Sequence, residues 1–443
     1  MTVAAQETDA EPVARASDGR AVCVDLDGTL LRIDTLHESA FSAIFQDWRV
    51  LFRIPGWRAA GNERLRAELA ARWTFDPETL PYDTRILDRL RAERDAGRRI
   101  VLYTAADRGV AERIARHLGL FDEIIARGAV RPAAEAQGRG VEPFDDREPV
   151  FRALLRAMRP YQWVKNALCF VPPVAAGNLG SAAWLGALAI AVAFCLIASG
   201  IYILNDLSDL AADRAHPRKS QRPFASGAAP IAAGLALAPV LILAGLALGV
   251  ATNGWPALIL YLAVSLGYTV WLKEKSLLDV FALAALYAIR VFGGGEASGH
   301  PVSLWLLAFS LFLFLSLALV KRVSELRRLR ETGSGRTSMR RGYTIEDIAI
   351  LEMFGVAATF ASALVLSLYV QSTAALSAYG NPTMLWGAIP LLLFWQCQLW
   401  LSTARGQMHD DPILFAARDR ASWVVFACLA CIVVVARLPT MGH

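Results

Sequence analysis

The sequence predicts two parts that fold in different solvents: a soluble N-terminal α/β domain over residues 1–150 and a multi-pass α-helical membrane bundle over residues 151–443. Three observations carry this reading. The 443-residue chain is 55% hydrophobic with a mean hydropathy of +0.39, too apolar to be wholly soluble and too charged to be wholly embedded. Apolar runs long enough to cross a bilayer begin only at about residue 160. Charge divides at the same place: residues 1–150 hold 22 Arg, no Lys and 26 Asp plus Glu, a net charge of −4, whereas residues 151–443 hold 23 basic and 14 acidic groups, +9. A basic membrane half suits loops that face anionic lipid or phosphate substrates.

The first twenty residues are polar and Ala-rich with no signal-peptide pattern, so the N-terminus is expected to stay in the cytoplasm. Ala21-Val22-Cys23-Val24 then reads as a short apolar strand running into Asp25-Leu26-Asp27-Gly28-Thr29. Residues 34–98 are mostly helical in pattern, and Arg99–Thr104 reads as a second strand. The segment 128–150 looks too short and too polar to supply further strands and helices.

Nine apolar runs follow, at about 161–177, 182–205, 229–250, 255–272, 277–293, 301–321, 349–371, 384–402 and 421–438, each near the roughly 17–25 residues a span requires. Pro172-Pro173 interrupts the first. The connections 207–228, 273–277, 321–348 and 403–420 contain 17 Lys and Arg, and the alternate connections contain none. The positive-inside rule therefore makes the first set cytoplasmic. Of six scattered cysteines, Cys428 and Cys431 share a face of the last run, which suggests packed core thiols rather than a redox pair.

The most informative stretch is Asn205-Asp206-Leu207-Ser208-Asp209-Leu210-Ala211-Ala212-Asp213, followed at once by His216-Pro217-Arg218-Lys219-Ser220-Gln221-Arg222-Pro223. Asp206, Asp209 and Asp213 fall at i, i+3 and i+7, so a continuing helix would align three carboxylates on one face. Mg2+ relieves the repulsion among such carboxylates and bridges them to substrate phosphates. Lys219 and Arg222 can hold the phosphate oxygens that the metal leaves free. A charged loop with a helix cap is the plainer alternative.

Four further features fall on the same side. Arg159-Pro160-Tyr161-Gln162-Trp163-Val164-Lys165-Asn166 is either a membrane anchor or a phosphate-orienting element. Lys273 precedes a span containing Asp279, Tyr287 and Arg290, which lie near one helical face and are followed by Gly293-Gly294-Gly295. A buried guanidinium requires a polar cavity or a partner, so Arg290 either pairs with Asp279 or Glu296 or binds phosphate. Lys321 and Arg322 end the sixth run as cavity-lining charges or as an anchor. Met408-His409-Asp410-Asp411-Pro412 and Arg418-Asp419-Arg420 either cap their neighbouring spans or meet substrate.

Arg-Pro-x-Gln-Trp-x-Lys-Asn, Asn-Asp-x-x-Asp-x-x-x-Asp with His-Pro-x-Lys-x-x-Arg-Pro, and Tyr-x-x-x-Leu-Lys, in this order over roughly 155–438, resemble the UbiA superfamily of intramembrane transferases. Within it the pattern is most similar to the decaprenyl-phosphate phosphoribosyltransferases. UbiA prenyltransferases usually carry a second Asp-x-x-x-Asp motif, where this chain offers only Asp279, with Tyr287 and Arg290 beyond. The resemblance implies Mg2+ on Asn205, Asp206, Asp209 and Asp213, with Lys219, Arg222, Arg290 and Lys273 neutralising a leaving diphosphate. Arg159, Lys165, Asn166, Asp279, Tyr287, Lys321 and Arg322 are the candidate substrate contacts. It further implies phosphoribosyl pyrophosphate as donor, polyprenyl phosphate as acceptor, no nucleic-acid partner, and a bacterial-type inner membrane with the active site cytoplasmic.

The N-terminal motif is similar to haloacid-dehalogenase-type (HAD-like) phosphatases, a resemblance that implies a parallel-sheet α/β domain with its site at the carboxyl ends of the strands. There Asp25 resembles the nucleophile, Asp27 the general acid/base, both binding Mg2+, and Thr104 the phosphate-binding hydroxyl. The family's third-motif Lys has no counterpart in residues 1–150, and the nearest fourth motif is Phe144-Asp145-Asp146. Arg127 or Arg131 would have to replace the ammonium. Either the domain removes the 5-phosphate of a phosphoribosyl lipid, or it is a truncated fold kept for docking or stability. For the whole chain, the alternatives to phosphoribosyl transfer are prenyl transfer to an aromatic acceptor and a non-enzymatic lipid carrier or scaffold.

Overall fold

The computed structural model describes residues 21–126, 138–144, 148–177, 180–331, 342–408 and 411–437. The chain divides into two compact units, one formed by Met1–Ala153 with Ser208–Ala232 and the other by Leu154–Leu207 with Ala233–His443.

In the first unit β1 (Ala21–Asp25) is followed by four helices, α1 (Thr35–Gln46), α2 (Val50–Ala59), α3 (Asn62–Ala70) and α4 (Thr84–Asp95), before β2 (Ile100–Thr104). Then come α5 (Arg108–Leu118), β3 (Glu123–Ala126), β4 (Gly138–Val141) and α6 (Val150–Ala157). The strands form one parallel sheet in the order β3-β2-β1-β4, with Val22 opposite Ile100 and Ala21 opposite Gly138. Alternation along the strands sends Val22, Val24, Ile100 and Leu102 into the core with Ile86, Leu90 and Ile114, and Cys23 and Val101 to the other face. Asp34, Asp83 and Asp107 cap α1, α4 and α5 by accepting backbone N–H groups.

One expectation is corrected here. The segment 128–150 does supply a strand, β4, although Gly-Arg-Gly-Val has little intrinsic β preference. Its pairing comes from the open edge of β1 rather than from its own side chains.

After the short α7 (Val171–Ala175), the long helices are α8 (Ser181–Ser208), α10 (Ile231–Ala251), α11 (Trp255–Val270), α12 (Leu278–Ser298), α13 (Leu304–Glu331), α14 (Ile348–Val370), α16 (Ala388–Ala404) and α18 (Arg420–Arg437). Short helices α9 (Leu210–Arg214), α15 (Thr373–Ala378) and α17 (Pro412–Arg418) lie between them. Among the described residues seven helices are long and apolar enough to cross a membrane, and α11 is a shorter apolar helix. Their exposed faces carry Leu185, Leu188, Leu243, Phe360, Leu364 and Phe394, which require lipid rather than water. The chain is a multi-pass membrane protein.

The first expected span, 161–177, is not one helix. Residues Pro160–Phe170 form a 3-10 run and α7 starts afresh at Val171, with Pro172 and Pro173 in its first turn, where a missing N–H does no harm. Cys428 and Cys431 are corrected as well: both are free and exposed on α18, on a lipid-type face rather than in a core.

Candidate functional site

In the membrane unit the site is assembled around the 3-10 run Pro160–Phe170. Runs of this kind longer than three or four residues are uncommon and mark strained or functional segments. Arg159 enters it with φ of +54°, a left-handed conformation that a non-glycine residue adopts only under constraint. Trp163 Nε1 donates to Ser199 Oγ at 3.1 Å, and Ser199 Oγ donates to Met158 O at 3.0 Å, which fixes the run against α8. On the other side Gly294 of α12 meets it so closely that an added Cβ would lie 2.1 Å from Cys169 O. Glycine is what permits this approach.

Arg290 lies one turn before Gly294, so the same contact brings it to the run. Arg290 Nε donates to Asn166 Oδ1 at 2.7 Å and Nη2 to the Tyr261 hydroxyl at 3.1 Å. Its Nη1 reaches Leu286 O, and its guanidinium stacks 4.7 Å from the Tyr261 ring centre. Neither Asp279 nor Glu296 is its partner. Lys165, the neighbour of Asn166, places Nζ 2.7 Å from Asp411 Oδ2, and Lys321 Nζ is 3.6 Å from the same oxygen. The Tyr287 hydroxyl donates to Asp411 Oδ2 at 3.0 Å. Asp411 also caps α17 by accepting from Ile413 N–H.

Lys165, Asn166, Tyr287, Arg290 and Lys321, all candidates from the sequence, thus converge with Asp411 and Tyr261. Lys165 and Lys321 meet one carboxylate while Arg290 holds the neighbouring Asn166, an excess of two positive charges among largely buried side chains. An anion with several oxygens is the ligand that such an excess accepts. Tyr261 carried no sequence signal of its own. Asp411 did, in a motif with two readings, and here it is both cap and charge partner; His409 and Asp410 of that motif lie outside the described residues.

Asp279 and Arg322 form a separate, fully buried pair. The Tyr343 hydroxyl donates to Asp279 Oδ1 at 2.5 Å, and Arg322 also meets Glu325. Lys321 and Arg322 therefore serve different clusters, as adjacent residues about 100° apart around a helix do. Lys273 is half-buried in a single 3-10 turn, Leu272–Glu274, with no ion pair recorded among the described residues.

The Asp-rich stretch departs from the expected single face. Helix α8 ends at Ser208, and Asp209, with φ −95° and ψ 11°, stands before the new helix α9. Asn205 and Asp206 end the membrane unit's α8, where Arg159 Nη2 donates to Asp206 Oδ1 at 2.5 Å. Asp209, Asp213, Lys219 and Arg222 belong to the first unit. There Arg222 Nη1 donates to Asp213 Oδ2 at 2.5 Å, and Lys219 Nζ is 3.8 Å from Oδ1. Among the described residues no three carboxylate, His or Cys groups converge as a ready metal cage. Asp213 nevertheless suits a hard cation, because its Oδ1 is buried with no hydrogen bond among the described residues and meets Lys219 there only at 3.8 Å.

The first unit has a second acidic site. Asp25 and Asp27 at the end of β1 line a cavity of about 440 Å3 together with Tyr103, Asp107 and Arg66. Asp27 accepts from Thr35 N at 2.9 Å and from Thr35 Oγ1 at 3.0 Å. Burial, reinforced by the Asp34 and Asp25 carboxylates, outweighs these bonds and pushes its carboxyl up to about 6. Thr104 is fully buried, and its hydroxyl accepts from Ala106 N–H at 2.9 Å. Arg66, on α3, is a cation that sequence reading missed because nothing local marks it; Arg127, Arg131, Asp145 and Asp146 lie outside the described residues.

Residues 167–418, more than half of the chain, match the UbiA prenyltransferase family. The chain belongs to that family. Residues 22–170 match the haloacid dehalogenase-like hydrolases, as the N-terminal motif suggested. This UbiA family member is 32% identical to an uncharacterized protein, y4nM, of Sinorhizobium fredii over 92% of its own length and 89% of that protein's. It is 38% identical to the decaprenyl-phosphate phosphoribosyltransferase of Mycolicibacterium smegmatis over 41% of its length and 59% of the relative's. A UbiA homolog from Archaeoglobus fulgidus, solved bound to DMAPP and Mg2+, shares the fold, with a TM-score of 0.50 and 14% identity over 64% of this chain and 98% of that one.

Proposed function

We propose that this UbiA family member transfers the 5-phosphoribosyl group of phosphoribosyl pyrophosphate to a polyprenyl phosphate, releasing diphosphate. The observation that carries this reading is the buried charge excess of Lys165, Arg290 and Lys321 over Asp411. Two phosphate-bearing substrates need such a surface, whereas an aromatic acceptor does not. The state of Asp279 also supports it: a carboxylate held by Arg322 and Tyr343 is not free to bind the second metal of a prenyl diphosphate. The partial-length likeness to a decaprenyl-phosphate phosphoribosyltransferase points the same way.

In this reading Asp209 and Asp213 would hold Mg2+, which would supply Lewis-acid neutralisation of the diphosphate. Lys219 and Arg222 take the remaining charge of that leaving group as the anomeric C–O bond breaks. Lys165, Asn166, Arg290 and Lys321 orient the lipid phosphate, one of whose oxygens forms the new bond to the anomeric carbon. That oxygen is already anionic, so no general base is needed. Apolar grooves between spans take the prenyl tail. The chemistry lies on the cytoplasmic side of a bacterial-type inner membrane, following the Lys and Arg distribution.

For the first unit, the cavity with Asp25, Asp27 and Arg66 favours hydrolysis of a phosphate monoester, the 5-phosphate of the lipid product being the substrate at hand. Phosphate release by the whole protein, lost in Asp25→Asn, is the result expected.

The transfer itself is tested by incubating membranes with labelled phosphoribosyl pyrophosphate and polyprenyl phosphate, then extracting lipid. A labelled phosphoribosyl lipid, absent in Asp209→Ala, is expected. No such lipid, together with transfer from a prenyl diphosphate to an aromatic acid, would overturn the reading.

A further inference from the structure

The segment Ser208–Ala232 folds as part of the N-terminal unit, and one guanidinium ties it there. Arg214 Nη1 donates to Glu38 Oε2 at 3.1 Å and Nη2 to Glu38 Oε1 at 2.6 Å, a two-pronged pair with both side chains more than nine-tenths buried. The third donor of the same group, Nε, reaches Ala225 O at 3.2 Å. Arg214 thus joins three stretches: α1 through Glu38, the arm that follows Asp213, and the arm that follows Arg222. Between these two anchor points Arg222 closes on Asp213. The turn beyond Ala225 presses on the same unit, since Gly227, at φ +73°, leaves only 2.7 Å between a built Cβ and Arg32 O.

We propose that Glu38 is a positioning residue for the Asp213–Arg222 loop, so that the HAD-like unit sets the geometry with which the loop meets a diphosphate. This rests on the reading that the loop binds the diphosphate of the ribose donor. Glu38 is about 175 residues away in sequence, in a domain with its own acidic site, yet it acts here through Arg214 and not on any phosphate of that site. A buried bidentate pair is also specific: neither a lysine at 214 nor a neutral amide at 38 reproduces both prongs.

The experiment uses the full-length protein in nanodiscs and the Glu38→Gln variant. Expected are faster amide hydrogen exchange across 209–226, a kcat/KM for phosphoribosyl pyrophosphate lower by about 100-fold, the scale of an ångström-sized misplacement, and an unchanged KM for polyprenyl phosphate. The reversed pair, Glu38→Arg with Arg214→Glu, should recover part of both losses. Unchanged exchange and kinetics in Glu38→Gln would overturn the proposal, as would equal loss for both substrates with a general rise in exchange. If Glu38→Gln does not accumulate, Glu38→Asp, which keeps the charge but shortens the reach, is read by the same outcomes. Wild-type protein that makes no phosphoribosyl lipid would sink the proposed reaction alone, and the loop's anchoring would then be judged on exchange.

Discussion

Lys165 and Asp411 are 246 positions apart in the chain and meet at 2.7 Å in the membrane unit. Asp411 keeps Lys321 and Tyr287 when Lys165 is removed, so the carboxylate is not stranded. Lys165→Met should therefore fold, while phosphoribosyl transfer falls by about 100-fold, the loss typical of removing one charge-stabilising donor. Lipid-extractable label and the thermal midpoint in detergent, measured side by side, check this.

Gly294→Ala sets a Cβ against the Cys169 carbonyl, which is backbone and cannot swing away. The 3-10 run must shift, carrying Lys165 and Asn166 with it. We expect destabilisation of about 1–3 kcal/mol and a larger proportional loss of transfer than of folded protein, read from activity per mole of monodisperse protein.

Asp279 and Arg322 make opposite predictions singly and together. Arg322→Met alone leaves a buried carboxylate and should cost about 3–5 kcal/mol, whereas Asp279→Leu with Arg322→Met should be near neutral or stabilising. If the pair is architectural, the double variant retains transfer; urea or thermal unfolding together with the lipid assay separates this from a direct substrate role.

Asp27 gives the first unit a pH dependence. Its carboxyl rises from 3.8 to about 6 on folding, so the folded state binds the extra proton between those values. Stability from this group is fully present below 3.8 and is lost as pH rises through about 6, an effect of about 3 kcal/mol. In Mg2+-free buffer Asp27→Asn should raise the thermal midpoint at pH 8 relative to wild type, with a smaller gain at pH 5. A midpoint difference that grows toward acid would contradict it.

Family and architecture were readable in the sequence because motif order, hydropathy and Lys/Arg distribution are local properties. Residues such as Lys165, Asn166 and Arg290 could be chosen because charge inside an apolar run demands a reason. Their partners could not. Sequence offers Arg290 two nearby carboxylates or a phosphate, and the side chain holds an amide 124 positions away, since helix packing decides which faces meet. Three carboxylates at helical spacing promised one face, but the helix stops at Ser208, and Asp206 and Asp213 each take an arginine of their own. β4 was missed because an edge strand of glycines draws its order from its neighbour's open backbone.

The divergence of Lys321 and Arg322 bears on how the gene for this protein can change. Deleting one residue earlier in α13 turns everything beyond it by about 100°, pointing Arg322 at Asp411 and taking the guanidinium from Asp279, and inserting one sets Val320 toward Asp411 instead. Substitutions along that helix can be absorbed one at a time, but a change in its length cannot, so α13 should keep a constant residue count wherever this arrangement is inherited.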